Sequence, residues 1–162
     1  MPYPARRNKR SKSYLVTSDE FYERLQRLST SERTGKHCLG AATYLVGLQQ
    51  EERPLQNYNP LSIGLQETDK KKASMIGFVL SDWSRPQKPP RLLVHLAAID
   101  PKNKKKIHHR PKTNAVYESL DLEELLKTKH HYEAHVKQSH IPYLFSIKPA
   151  YFRPTDHYAI SQ

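Results

Sequence analysis

Two apolar runs constrain this chain more than anything else in it: residues 75–80 read MIGFVL and residues 92–99 read LLVHLAAI. A strand wetted on one face alternates apolar and polar residues, so runs without alternation predict strands covered on both faces. Asp82-Trp83-Ser84-Arg85-Pro86 and Pro89-Pro90 lie between them and suit a hairpin connection. His95 is the only polar residue in the second run, and a buried imidazole bonded to a backbone carbonyl is the expectation.

Covering both faces requires helices, and the flanking sequence supplies them. Thr17-Ser18-Asp19-Glu20 reads as a capping box, with Thr17 accepting and Glu20 reaching back, at the head of a helix over 18–30. Phe21, Leu25 and Leu28 repeat at helical spacing. A second helix is predicted over 37–52, stopped by Pro54, and a third over 120–138. Residues 61–65 alternate as a short strand. A last strand at 143–148 lies between Pro142 and Pro149, whose missing donors suggest a sheet edge. The fold class is α+β: a small mixed sheet of about four strands with a central hairpin, flanked by about three helices. One domain is expected over 14–162, behind a disordered basic arm at 1–13. No apolar stretch approaches the roughly 20 residues of a spanning helix.

Charge is concentrated. Residues 1–12 hold five lysines and arginines and residues 101–112 hold six, with no acid in either segment. Together they equal the net charge of +11, so the other residues balance to zero. Such segments repel themselves unless an anion meets them, and a polyphosphate backbone is the favoured partner. The candidate contacts are Arg6, Arg7, Lys9 and Arg10 in the arm, with Lys102, Lys104, Lys105, Lys106, Arg110 and Lys112 in the second segment. Lys70–Lys72 add a third cationic group. His108 and His109 read as part of the same basic connection, charged below about pH 6.5. Trp83 and Arg85, and Tyr151 and Arg153 near the C-terminus, interleave rings with cations as base stacking and phosphate contact require.

A second constellation carries chemistry. Asp82 ends one apolar strand and Asp100-Pro101-Lys102 ends the next. An acid on one strand and an acid-x-lysine on its neighbour, after a helix, resembles the layout of the restriction-endonuclease-like nucleases. The resemblance implies Mg²⁺ held by Asp82 and Asp100, with Lys102 orienting the attacking water and Glu51 or Glu52 as a third acid. Pro101 departs from that pattern because it breaks the strand in which the triplet should lie. His131 and His135 share a helix face at zinc-ligand spacing, yet Tyr132 rather than glutamate directly follows the first histidine, Glu133 comes one place later, and no cysteine pair supports them. No metal site is expected outside the nuclease reading, and no cofactor other than its Mg²⁺.

The sequence thus reads as a nucleic-acid-binding protein that grips the backbone through a basic loop and arm, with no membrane partner. RNA or single strands are slightly preferred, because no helix presents basic residues along one face. The alternatives are the Mg²⁺-dependent nuclease and a viral or mobile-element protein that binds protein partners. The lone Cys38 and the absence of an apolar leader suggest an intracellular setting, cytoplasmic or, in a eukaryotic or viral context, nuclear.

Overall fold

The computed structural model describes residues 13–31, 34–55, 58–82, 91–136 and 145–155, with the backbone alone at 81, 82, 91, 135, 136 and 145. Helices α1 (Ser18–Thr30) and α2 (Cys38–Val46) come first. Strands β1 (Leu65–Thr68), β2 (Met75–Asp82), β3 (Arg91–Ile99), β4 (Lys106–His109) and β5 (Glu118–Asp121) follow. Then come α3 (Leu122–Lys127), α4 (Lys129–Val136) and β6 (Phe145–Pro154). The fold is α+β as expected, but its sheet has six strands rather than about four, in the order β1-β6-β2-β3-β4-β5. Every neighbouring pair is antiparallel, so the sheet is not mixed.

The apolar runs are buried on both faces, as their lack of alternation requires. Met75 and Val79 of β2 join Phe21, Leu39, Leu45 and Phe152 in a core beneath α1 and α2. Ile76, Phe78 and Leu80 face the other way, toward Ile107, Leu122, Leu125 and Ile147. Each such side chain contributes about 1.5–3 kcal/mol on burial, so α1 with α2 on one side and α3 with α4 on the other are what make the central strands tolerable in water.

Several boundaries differ from the sequence reading, each for a local reason. Thr17 caps α1 by accepting from the Glu20 N–H at 3.1 Å. Glu20 turns instead to Arg24, a buried cation that needs a carboxylate (2.9 and 3.1 Å). Helix α2 ends at Val46 because Gly47 takes a left-handed cap (φ +96°) against Leu15 and Val16, too close for a Cβ. The expected strand at 61–65 is largely a 3₁₀ turn (Pro60–Ile63): the Asn59 side chain accepts from the Leu61 N–H and Pro60 supplies the first helical dihedral. The predicted helix over 120–138 begins at Leu122 and breaks at Thr128. Strand β6 runs on through Pro149 to Pro154 and is not an edge strand throughout. Among the described residues its first half has only β2 alongside, while β1 covers residues 151–154, so Pro149 falls where one flank shows no ladder to break. The arm, apart from Ser13, lies outside the described residues.

Strand β3 carries one irregularity with consequences. Phe78 pairs with His95 and Val79 with Leu93, leaving Val94 as an extra residue. The bulge breaks the alternation, so His95 lies on the same face as Val94 and stacks on Phe78.

Candidate functional site

Antiparallel pairing decides which predicted residues meet. Strand β2 begins, β3 ends and β4 begins at one end of the sheet. That end collects the lysines. The 3₁₀ turn Lys70–Lys72, capped by Asp69, presents three exposed lysines. Beside it, the turn between β3 and β4 presents Lys102, Lys104, Lys105 and Lys106, all exposed. The two turns are tied together: Ile99 N–H donates to Ser74 O (2.8 Å) and Lys104 Nζ reaches Ala73 O (3.5 Å). The Ser13 hydroxyl donates to Lys72 O at 2.6 Å, so the chain that carries the N-terminal arm also enters here.

Aromatic rings support these lysines. Lys104 Nζ lies 5.1 Å from the Tyr14 ring centre and Lys102 Nζ lies 5.4 Å from that of Tyr22. Half-buried Tyr151, opposite Thr68, stands near the same end. Asp100 organises the turn beneath. Its Oδ1 accepts from the Tyr22 hydroxyl (2.5 Å) and from the Lys102 and Asn103 N–H groups (2.8 and 3.0 Å). Its Oδ2 meets His108 Nε2 at 2.8 Å. Burial alone would raise this carboxyl's pKa, but the bonds from Tyr22, His108 and Lys102 outweigh it and hold it below the usual value.

These contacts correct the nuclease reading. Asp82 and Asp100 each end a strand, but ends of antiparallel neighbours lie at opposite ends of the hairpin. The eight residues of β2 separate them by roughly 25 Å at about 3.4 Å per residue. No one ion could bridge the two carboxylates. Asp100 is committed to four donors, and Lys102 lies over a tyrosine ring.

The second basic segment is also not one loop. Strand β4 occupies 106–109 and carries the chain away from the lysine turn. Arg110 beyond it is 1 % exposed and cannot reach a phosphate. Its guanidinium clasps Glu52 (2.5 and 2.9 Å) and donates to Ala115 O (2.8 Å). Lys112 is exposed, but it lines a cavity on the other side of β4 rather than joining the lysine end. Arg153 is half-buried on β6. Trp83 and Arg85, with Arg6, Arg7, Lys9 and Arg10, lie outside the described residues.

His108 and His109 are buried strand residues, not loop cations. Strand alternation sends them to opposite faces, and β5 sets Ser119 opposite His108 and Glu118 opposite His109. His108 Nδ1 meets Ser119 Oγ at 2.6 Å, and His109 Nε2 meets Glu118 Oε1 at 2.9 Å. His95 is buried as expected, but its Nε2 bonds His109 Nδ1 at 2.7 Å rather than a carbonyl. Burial lowers the pKa of all three imidazoles. Neither KIHH nor ESLD alternates in burial, and only their antiparallel pairing brings these networks together, so the sequence alone offers no strong signal for them. Cys38 is partly exposed as a residue, but its thiol is shielded and burial raises its pKa to about 11, so it is a poor nucleophile. Among the described residues no cluster could hold a metal ion, and no helix is long and apolar enough to cross a membrane.

Comparison with protein-family models, with curated proteins and with solved structures finds no match for this chain.

Proposed function

We propose that this protein binds nucleic acid, with a slight preference for RNA or single strands, through the lysine end of its sheet. One observation carries the reading: two sequence-distant turns present seven exposed lysines side by side, at the place where the chain enters from its basic arm. In water these like charges repel, and a phosphate backbone relieves that repulsion while releasing its own counterions. The rings of Tyr14 and Tyr22 lie behind two of the lysines and limit the freedom they lose on binding. Among the described helices Arg24 is buried, Lys129 pairs with Glu133 (3.8 Å), and Arg27 and Lys127 stand on separate helices, so no described helix offers a row of basic residues for a duplex groove. This favours backbone and shape reading over base readout.

The test is a fluorescence titration against single-stranded and duplex RNA and DNA over a salt series. Seven phosphate contacts on a single strand give a log–log salt slope near −5, at about −0.7 per contact. The Lys104→Ala/Lys105→Ala/Lys106→Ala variant should lower that slope by about 2. A variant that binds as tightly as the wild type at low salt would overturn the proposal, as would wild-type protein that binds none of the four probes.

A further inference from the structure

Beside the far ends of β3 and β4, a cavity of about 910 Å³ opens between β3, β4, β5, α2 and α4. That volume lies in the range of small-molecule sites, about 300–1,000 Å³. Its walls are largely apolar, with Leu80 and Leu93 among them, and His95, His109, Glu118 and Tyr132 supply polar groups. The Val94 bulge turns His95 toward the α4 side of the sheet. The ring is then clamped between Phe78 (6.4 Å, 27°) and Tyr132 (4.7 Å, 21°).

The hydrogen-bond chain fixes which nitrogens carry protons. A glutamate carboxylate only accepts, so His109 donates from Nε2 to Glu118. Neutral His109 therefore has a bare Nδ1, and His95 must donate to it from Nε2. That leaves His95 with an unprotonated Nδ1 on a ring that lines the cavity. Two buried imidazoles thus relay the character of a surface carboxylate inward, and the ring that lines the cavity carries an acceptor nitrogen.

We infer that this cavity is a binding site for a small, largely apolar alcohol or phenol, whose hydroxyl donates to His95 Nδ1. An ether or ketone of the same shape offers no proton, and binding it would leave the nitrogen desolvated and unpaired. Sites built to bond a hydroxyl reject the analogue without one by this means. The other titratable groups of the cavity are His37 and Cys38 at the start of α2, Tyr58, Lys112 after β4 and His131 on α4. None of them belongs to the Glu118–His109–His95 chain.

The experiment uses the whole chain, with phenol and its methyl ether, anisole, titrated by protein-observed NMR. Phenol should bind at least about tenfold more tightly than anisole, the worth of one well-made hydrogen bond. His95→Phe keeps the ring volume and should bring the two probes to parity. Glu118→Ala removes a half-exposed side chain at little risk to folding and frees both rings to change tautomer. It should shrink the preference, and the imidazole ¹⁵N shifts should report mixed tautomers. If His95→Phe does not fold, Glu118→Ala decides alone. Equal affinity for the two probes in the wild type, a preference that survives substitution, or no binding of either would each overturn the inference. The lysine triple variant should leave phenol binding unchanged, which separates this site from the lysine end.

Discussion

Replacing Arg110 with methionine should destabilise the protein severely while leaving the surface chemistry alone. The guanidinium is 1 % exposed and spans three parts of the chain: Glu52 after α2, Ala115 before β5 and Ser31 after α1. Methionine fills the volume but leaves Glu52, itself 8 % exposed, as a buried charge without its partner. Breaking a buried pair from one side costs about 3–5 kcal/mol, because the remaining ion keeps its desolvation penalty and loses its attraction. With a urea m-value of about 2 kcal/mol/M, the midpoint should fall by roughly 2 M. Glu52→Leu alone should cost a similar amount by stranding Arg110. The double variant Glu52→Leu/Arg110→Met removes both charges and should recover much of the loss, a coupling readable from a double-mutant cycle. Urea unfolding followed by circular dichroism gives all four corners. The reasoning is refuted if Arg110→Met costs less than about 1 kcal/mol while polynucleotide affinity drops, for that pattern belongs to a surface arginine on a phosphate.

Acid should unfold the protein early. His95, His108 and His109 are held below their ordinary pKa by burial, so below about pH 6.5 the unfolded chain binds protons that the folded state refuses. Stability is complete above that value and falls as pH drops, by up to about 1.4 kcal/mol per unit for each histidine; urea midpoints that match at about pH 7.5 and 5.5 would contradict this. The Asp100 contribution has the opposite origin, a lowered carboxyl, and is lost only in stronger acid as its own proton returns. Gly77→Ala should cost about 1–3 kcal/mol by overpacking, since its Cβ would lie 2.6 Å from the His95 carbonyl, and a thermal melt reads it directly. Asp121→Ala removes the N-cap side chain of α3, whose backbone N–H donates to Glu124 Oε1 (3.2 Å), and should cost about 1 kcal/mol in the same melt.

Local physics was legible in the residues themselves. The unbroken apolar runs required cover on both faces, Thr17 marked the start of a helix, and the acid-free lysine segments showed where charge concentrates. Each of these depends on neighbours a few positions apart, so a reading along the chain captures it. What escaped that reading depends on registers between distant segments. Nothing near Arg110 announces Glu52, which lies 58 positions away, and a basic stretch reads as exposed until its partner is known. The KIHH segment reads as loop because a four-residue strand is stable only against a partner, here ESLD. The same holds for Asp82 and Asp100: along the chain both are strand ends, and only the antiparallel sense of the hairpin separates them. Tertiary structure decided in the other direction at the lysine end, where Lys70–Lys72 and Lys102–Lys106 meet because β2 begins where β3 ends. Sequence sets what each segment needs buried, neutralised or capped, and the pairing of strands determines which distant groups meet those needs.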